Sequence, residues 1–346
     1  MKKRVVYGIV SMMLVLCMSV PVHAMGVAMF SAARGAATSL DVQNEYAKKI
    51  TGERLIGIWG EAIVGGELPK AGGFANAALE QALNSRIGAA YNALLAEAGK
   101  MARSIIVGYE VVVSGDYISI LLNCKSTGTF AKELYSSVVL NARLAKLITI
   151  DDVLGVNGTR LANRVLSDLV KATPDRFNAA VAAITGTHDF YMEDGALVLL
   201  FDQFEIAPGS AGVIRVPILL DGVVECVVSK NDYYQSASSQ YGVKMIAIRP
   251  VVEVFGYTVT WNAASSMVEL SHAGAPVTSI QIGENSYYRM RAAKRRLETA
   301  PELTAGKTHV PISFFEEILG LFYHVNAQGD ITFTVYASPA AETPAP

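Results

Sequence analysis

The sequence has few cysteines, few histidines and few charged residues. Three cysteines and five histidines occur among 346 residues, and Asp, Glu, Lys and Arg make up 17% of the chain. Cys124 and Cys226 are isolated and have apolar neighbours, which is typical of buried thiols. A disulfide framework is therefore excluded as the main source of stability.

Motifs of the common catalytic and metal sites are also absent. The chain has no Gly-x-Ser-x-Gly elbow, no Gly-x-x-x-x-Gly-Lys phosphate loop and no Cys-x-x-Cys pair. After residue 24 the histidines are His188, His272, His309 and His324, and none lies two or four residues from another. This spacing does not support a metal site. We therefore expect no catalytic residue, no metal, no cofactor and no enzymatic activity.

Long apolar runs are absent except at the N-terminus. Three basic residues at 2–4 precede an apolar run at 5–20 and a Pro-Val-His-Ala sequence, which predicts a secretory signal peptide over 1–24. The run is shorter than the roughly 18–20 residues that a membrane span needs, so an uncleaved anchor is the weaker alternative. We expect a protein that is secreted and associated with a Gram-positive cell envelope, and that meets the membrane only through this segment.

Positive charge is in deficit once the signal peptide is removed. Residues 1–24 hold three of the 29 Lys and Arg and none of the 31 Asp and Glu, which leaves a formal net charge of −5. This balance argues against nucleic acid as a partner. The apolar content of 51% without a second long apolar run is typical of well-filled soluble domains.

Helical patterns occur in the first half of the chain. Apolar residues at three- and four-residue steps predict a helix over 74–98. Leu161, Val165 and Leu169 predict a second helix, and a third is predicted after Pro174. The Asp151-Asp152 pair is interpreted as helix capping rather than carboxylate catalysis. The apolar face of the third predicted helix consists of Phe177, Val181 and Ile184.

Strand patterns alternate with these helices. Hairpins are predicted around Ser114-Gly115-Asp116 and around Asp194-Gly195, because such pairs adopt the positive φ angles of tight turns. Pro217 places its strand at a sheet edge or at its end. Together the patterns predict an α+β module, in which helices pack on an antiparallel sheet. Further strands are predicted at 55–64, 134–140 and 213–218.

The stretch 188–218 resembles a known domain of unknown function shared by secreted bacterial proteins. That domain forms the lysozyme-sensing extracellular part of certain anti-sigma factors and precedes the catalytic domain of some peptidoglycan deacetylases. The resemblance therefore implies an α+β binding domain. The family usually has an aromatic residue where this chain has Gly209. The matching residues are Phe190, Tyr191, Leu197, Phe201, Phe204, Glu205, Ile206, Ala207, Pro208, Gly212, Pro217 and Ile218.

The second half of the chain contains an internal repeat. Residues 246–256 align without gaps on 310–320 at a shift of 64 positions, with Gly256 on Gly320, and the same shift places Asn262 on Asn326. Each copy predicts a short helix, a Gly stop and two strands joined by an Asn turn. Since one copy cannot bury its apolar face alone, we expect the two copies to form a single core.

This repeat resembles the N-terminal "stalk" domain of copper amine oxidases, which recurs in Gram-positive surface proteins. The resemblance implies a second contact or spacer, and this stalk domain contributes no copper ligands. Ile246-Ala247 stands where Val-Pro is usual, and Val325 stands where Trp is usual. The residues that carry the likeness are Arg249, Glu253, Gly256, Tyr257, Val259, Trp261, Asn262, Ala300, Pro301, Gly306, His309, Val310, Pro311, Phe314, Phe315, Glu317 and Gly320.

These patterns divide the chain into five parts. We predict a signal peptide at 1–24, a flexible leader at 25–50, the α+β domain at 51–218, the stalk-like domain at 219–337 and a disordered tail at 338–346.

Two groups of side chains are candidate binding residues. Five cations within eight residues could hold an anionic wall polymer, although a solvated face is the plainer interpretation. Tyrosine pairs at 233–234 and 287–288, with Tyr241, could stack on sugars or anchor a protein, or form part of the core. The five cations are Arg289, Arg291, Lys294, Arg295 and Arg296, and the foremost tyrosines are Tyr233 and Tyr234.

The absence of a catalytic set and the presence of two binding-type modules predict a non-catalytic binding protein. The expected partner is a cell-wall polymer, such as a glycan, or an extracellular protein, such as a lytic enzyme. Two alternatives stay open: a wall-polymer hydrolase with an unrecognised active site, and a self-associating protein of a coat or surface layer.

Overall fold

The computed structural model describes residues 45–100, 102–128, 131–178, 181–237, 242–265, 267–288 and 294–337. The predicted signal peptide, most of the predicted leader and the predicted tail lie outside these ranges. The described chain is α+β, with strands in five sheets and a smaller number of helices. The predicted fold class is confirmed.

The first sheet has six strands in the order of the sequence. Neighbouring strands are antiparallel except β2 and β3, which are parallel because a long helix connects them. The strands are β1 (Ile50–Trp59), β2 (Ala62–Ala71), β3 (Ser104–Ser114), β4 (Tyr117–Thr127), β5 (Glu133–Asn141) and β6 (Lys146–Leu147).

The connecting helix, α1 (Ala77–Ala98), covers one face of this sheet. The side chain of Asn76 caps it by accepting a hydrogen bond from the Leu79 N–H at 3.0 Å. Its buried face includes Leu83 and Ile87, which belong to one apolar cluster with residues of β3, β4 and β5. The helix predicted over 74–98 is confirmed, and it begins three residues later than predicted.

The second sheet consists of β7 (Phe190–Glu193), β8 (Ala196–Phe201) and β9 (Ile214–Leu219) in that order. The predicted hairpin at Asp194-Gly195 is confirmed, and Pro217 lies on the edge strand, as expected. Two helices, α2 (Ile150–Leu154) and α3 (Gly158–Ala172), precede this sheet. Thr149 and Asp152 form a capping box at the start of α2, which supports the capping interpretation of the acidic pair.

Alternate residues of β8 face two different layers. Leu197 and Leu199 pack with α2 and α3, whereas Val198 and Leu200 pack against Leu121 on the outer face of the first sheet. The first module is therefore layered as helix, six-stranded sheet, three-stranded sheet and helices.

Two predictions for the first module are wrong. The strand predicted over 55–64 is two strands, because Gly60, with φ of 61°, and Glu61 form a two-residue hairpin turn. The helix predicted on Phe177, Val181 and Ile184 is not found among the residues that the structure describes. The described chain has only a 3-10 turn at Pro174–Arg176 there, and residues 179–180 lie outside the described ranges. Ile184 is instead buried as part of an irregular segment, and its N–H bonds to Asn163.

The second module contains three small sheets around one apolar cluster. Their strand orders are β10-β19-β18, β11-β12-β17-β16 and β13-β14-β15. The strands are β10 (Val223–Val228), β11 (Tyr233–Gln235), β12 (Lys244–Ala247), β13 (Tyr257–Asn262), β14 (Met267–His272), β15 (Ala275–Gln281), β16 (Glu302–Thr304), β17 (Lys307–Pro311), β18 (Phe322–Val325) and β19 (Ile331–Tyr336), and the helices are α4 (Ile248–Val252) and α5 (Ser313–Glu317).

The predicted repeat is visible in this module. Each copy runs strand, short helix, left-handed glycine and hairpin, from β12 to β14 in the first copy and from β17 to β19 in the second. Gly256 and Gly320 have φ of 76° and 75°, which a glycine adopts at low cost. The prediction of one shared core is confirmed, because residues of both copies belong to the same cluster.

Helix α3 joins the two modules. Arg160 forms an ion pair with Glu316, donates to the Tyr323 carbonyl at 3.2 Å and lies over the Phe322 ring. Asn157 donates to the hydroxyl of Thr334 at 3.0 Å. The modules are thus connected by packing and hydrogen bonds as well as by the chain.

Candidate functional site

Four isoleucines of the first sheet lie on the face opposite to α1 and are exposed to solvent. Their exposed fractions are 71% for Ile56, 77% for Ile58, 63% for Ile63 and 59% for Ile106. We call them the isoleucine face. Isolated exposed apolar residues are ordinary, but a contiguous group on one sheet face is typical of an interaction site.

The strand register places these side chains next to one another. Ile58 pairs directly with Ile63, while Ile56 and Ile106 flank Gly65 on either side. A Cβ atom built on Gly65 would meet nothing closer than 4.0 Å. Gly65 therefore leaves a notch between two isoleucines, and a protruding apolar group could enter it.

The surroundings of the isoleucine face are polar. Arg54 and Glu67 pair across β1 and β2 beyond Ile56, and Lys125 lies opposite Ile106 on β4. An apolar centre with a polar rim is the usual anatomy of a protein interface. In addition, β1 is an edge strand of ten residues, and its outer backbone groups could pair with an added strand.

The same sheet face is already used for packing farther along. Val112 and Leu121 lie on it and contact the second sheet. The isoleucine face is the part of this surface that the second sheet leaves uncovered. The exposed apolar residues of β1 and β2 are therefore of the same kind as those that the second sheet covers, although no described element of the chain packs on them.

The predicted cationic cluster is only partly brought together. Arg289 and Arg291 lie outside the described residues. Lys294 lies over the Tyr288 ring at 5.5 Å, Arg295 forms an ion pair with Glu317 at 3.0 Å, and Arg296 is exposed. The cations of the described part therefore have different surroundings.

The predicted tyrosines have different positions. Tyr233 and Tyr234 are half-buried and line one groove of about 510 Å³, with their hydroxyls bound to Gly329 and Glu302 respectively. Tyr287 is fully buried and donates to the Thr299 carbonyl, so it belongs to the core, which is the second of the two interpretations given for the tyrosine pairs. Tyr241 lies outside the described residues.

A group of polar side chains binds the part of the β5 edge that the short strand β6 leaves unpaired. Asp189, Asp202 and Gln203 accept hydrogen bonds from the N–H groups of Ser137, Tyr135 and Glu133, at 2.6, 2.6 and 3.0 Å. Burial raises the pKa of Asp202 to about 7. Because these side chains satisfy backbone donors at every second residue, they replace a neighbouring strand and hold the second sheet in position.

The histidines and cysteines give no metal centre. Among the described residues, no group of three His, Cys, Asp or Glu side chains could hold a metal ion. Burial lowers the pKa of both His188 and His309, so each imidazole is disposed to be neutral. Cys124 is buried and Cys226 half-buried, both are free, and burial raises the pKa of Cys124 to about 11.

Phe204 and Gly209 explain the departure from the family pattern. Phe204 has φ of 72°, a left-handed conformation that is rare for an aromatic residue, and its ring is 54% exposed. A Cβ atom at Gly209 would lie 2.0 Å from that ring. The ring of Phe204 thus occupies the space that a side chain at 209 would need.

Comparison with known families follows the division into two modules. The model of a family described as "Protein of unknown function (DUF3298)" matches residues 160–221, which include α3 and the second sheet. The model of the copper amine oxidase N-terminal domain matches residues 228–332. The chain carries DUF3298 followed by a copper amine oxidase N-terminal domain. The predicted order, a domain of unknown function followed by a copper amine oxidase N-terminal domain, is thereby confirmed.

Individual proteins are also similar to parts of this chain. A protein of Brevibacillus choshinensis described as "Protease inhibitor" is 35% identical over 75 residues. That match spans 22% of each chain, so the present chain covers about a fifth of the relative's length.

Two DUF3298 family structures are also similar. One, from Bacteroides fragilis, has a TM-score of 0.35 and 12% identity over 50% of this chain and 90% of its own. The other, from Pseudomonas aeruginosa, has a TM-score of 0.33 and 17% identity over 50% of this chain and 91% of its own.

Within the described ranges, none of the helices combines the length and apolar character that crossing a bilayer requires.

Sequence reasoning missed the isoleucine face. Its signal is the alternation in β1 and β2, where Ile56, Ile58 and Ile63 occupy the positions that would be polar in a sheet with one solvated face. Since 55–64 was interpreted as one strand, the alternation on either side of the Gly60-Glu61 turn was not recognised.

Proposed function

We propose that the protein is an exported, non-catalytic binding protein of the cell envelope, which captures an extracellular protein on the isoleucine face. The observation that supports this most is the exposure of Ile56, Ile58, Ile63 and Ile106 on one sheet face. At about 25 cal/mol per Å², covering such side chains stabilises a complex substantially. Leaving them uncovered invites aggregation, which a natural partner prevents.

A protein fits this surface better than a glycan does. The centre of the isoleucine face offers apolar side chains and a glycine, while the charged groups of Arg54, Glu67 and Lys125 lie at its margin. Sugars need donors and acceptors within the contact area, whereas a protein partner can insert an apolar side chain beside Gly65.

The partner class is supported by a relative. The Brevibacillus choshinensis protein is described as a protease inhibitor, and its matching stretch is short. An inhibitor binds an enzyme, so a secreted hydrolase, such as a lytic enzyme or a protease, is the proposed partner. The predicted signal peptide would bring the protein to the compartment where such enzymes act.

A non-catalytic role agrees with the use of the ionisable side chains. Asp189, directly before β7, and Asp202, directly after β8, accept hydrogen bonds from the backbone of β5. One oxygen atom of each carboxylate thereby helps to hold the two sheets together. This supports a structural role for the group rather than an acid–base pair.

Retention on immobilised enzymes tests the proposal. The protein starting at Met25 would be passed over lysozyme and over a bacterial serine protease, each coupled to beads. We expect retention on at least one, and we expect Ile58→Glu and Gly65→Lys to reduce it at least tenfold. Gly65→Lys should block the notch without disturbing the fold, because its side chain enters open space.

The control is Val254→Glu, which adds the same charge to another exposed apolar residue in the other module. It should leave retention unchanged. No retention on either enzyme contradicts the proposal. If the wild-type protein instead forms dimers that Ile58→Glu dissociates in sedimentation, the face serves self-association, and the proposed partner is wrong.

A further inference from the structure

The second module contains a groove that is separate from the isoleucine face. It has a volume of about 510 Å³ and lies between the end of β10, the strands β11, β12 and β17, and the helix α4. Sites for small molecules have volumes of roughly 300–1,000 Å³. The groove is therefore large enough for a ligand of several rings.

The groove exists because the two repeat copies differ in size at equivalent positions. Pro250 and Val251 line it. Their counterparts 64 positions later are Phe314 and Phe315, which are fully buried, and the ring of Tyr287 packs 5.5 Å from Phe314. Aromatic rings thus fill the core beside the second copy, whereas smaller residues leave space beside the first.

One wall of the groove is aromatic and held in place. The ring of Tyr234 meets His309 edge to face with centroids 5.0 Å apart, and its hydroxyl donates to Glu302 at 2.8 Å. The Nδ1 atom of His309 lies 3.0 Å from the carbonyl of Lys307, which places the proton on Nδ1 and leaves Nε2 as an acceptor. A wall that is already ordered loses little entropy when a ligand binds.

The charges of the lining balance. Asp232 and Lys307 are exposed, carry opposite charge and both line the groove, and Asn231 adds an amide that donates and accepts. An anionic polymer would meet Asp232, and a cationic one would meet Lys307. Hydroxyl groups, which both donate and accept, suit all three side chains.

We propose that this groove binds a neutral oligosaccharide, with the apolar face of a sugar against Tyr234 and its hydroxyls within reach of Asn231, Asp232 and Lys307. Tyrosine combines a flat apolar ring with a polar end, which fits the two kinds of surface of a sugar. The site is independent of the isoleucine face, so each can be present without the other. The protein would then hold a glycan with one module and a protein with the other.

Calorimetric titration of the Met25-starting protein tests the site. The probes are two neutral tetrasaccharides, of N-acetylglucosamine and of maltose type, and the anionic tetramer of galacturonic acid. We expect at least one neutral probe to bind with a Kd below about 1 mM, and the anionic probe to bind at least fivefold more weakly.

Two variants locate the binding. Asp232→Ala removes an exposed acceptor, and Val227→Trp adds a large side chain at a residue that lines the groove and is 66% exposed. Each should weaken binding at least fivefold. The matched control, Val254→Trp, enlarges an exposed residue outside the groove lining and should leave the Kd unchanged.

Three results would overturn the assignment. The first is that neither neutral probe binds at a probe concentration 10-fold above the expected Kd. The second is that the anionic probe binds as tightly as the neutral ones. The third is that neither groove variant changes the Kd, although thermal unfolding shows that both variants are folded. Ile58→Glu should leave sugar binding intact, so a failure here is distinguishable from a failure of the proposed protein capture.

Discussion

Ile246 of β12 lies directly opposite Val310 of β17, and the two residues occupy the same position in the two copies of the repeat. On either side the pairing exchanges counterparts, because Met245 faces Pro311 while Ala247 faces His309. A local twofold relationship therefore passes between Ile246 and Val310. The copies close one core around a shared strand pair, in the way that symmetric subunits share an isologous contact.

This central pair should be critical for the stability of the second module. Ile246 and Val310 are 1% and 0% exposed, so Ile246→Ala should lower the free energy of unfolding by about 2–5 kcal/mol, through lost burial and the cavity left behind. Urea denaturation measures the change. The control is Leu303→Ala on β16 of the same sheet, 58% exposed, which should change stability by less than about 0.5 kcal/mol. Equal effects of the two variants would contradict the shared-core interpretation.

The repeat could be recognised in the sequence because its signals, glycines, turn residues and apolar spacing, are local. Gly256 and Gly320 need positive φ, Asn262 and Asn326 stand at turns, and the apolar positions before each glycine recur with the helix period. The identity of the pairing strands was less accessible. Nothing in residues 244–247 indicates that the strand they pair with is 64 positions away, since pairing is decided by the core that both copies bury.

The surface was harder to predict than the core. Ile56 and Ile58 look like ordinary strand residues, and their exposure depends on how far the second sheet extends over the first, which is a tertiary property. The helix prediction for the segment with Phe177 and Ile184 was wrong for a related reason. Its apolar spacing fits a helix. The side chain of Asn163, however, accepts a hydrogen bond from the N–H of Ile184 and donates one to its carbonyl, which stabilises a non-helical backbone there.

Two adjacent glycines of β2 should differ greatly in their tolerance of the same substitution. Gly66 has φ of 140°, and a Cβ atom there would lie 1.9 Å from the Val107 carbonyl oxygen. Gly66→Ala should therefore lower the free energy of unfolding by about 3 kcal/mol or more, because backbone must move. Gly65→Ala places its methyl in open space and should change it by less than about 1 kcal/mol. Thermal unfolding of the two variants measures the difference, and similar melting temperatures would contradict it.

The contact between Phe204 and Gly209 can be tested by a double-mutant cycle. Gly209→Ala should destabilise the protein by about 1 kcal/mol, because its methyl displaces the Phe204 ring. In a Phe204→Ala background the same change should cost close to nothing, since the obstructing ring is gone. Guanidinium denaturation of the four proteins gives the coupling free energy. A coupling of zero would mean that the ring does not occupy this space in solution.

Asp202 predicts a specific dependence of stability on pH. Burial raises the pKa of its carboxyl to about 7 in the folded protein, against about 3.9 for an unfolded chain. Between these values the folded state holds a proton that the unfolded state has released. The stabilisation from this group is therefore complete below about pH 4 and is lost progressively as pH rises through about 7.

The matched variant is Asp202→Asn, which cannot ionise but keeps an oxygen that accepts the Tyr135 N–H. We expect the free energy of unfolding of the wild-type protein, relative to that of the variant, to fall between pH 5 and pH 8, and the two curves to run parallel above about pH 8. Urea titrations at each pH measure this difference. If the difference stays constant from pH 5 to 8, Asp202 titrates at its ordinary value. The contact between the two sheets would then contain a solvated carboxylate. That carboxylate would accept the hydrogen bond from the Tyr135 N–H at every pH above 5.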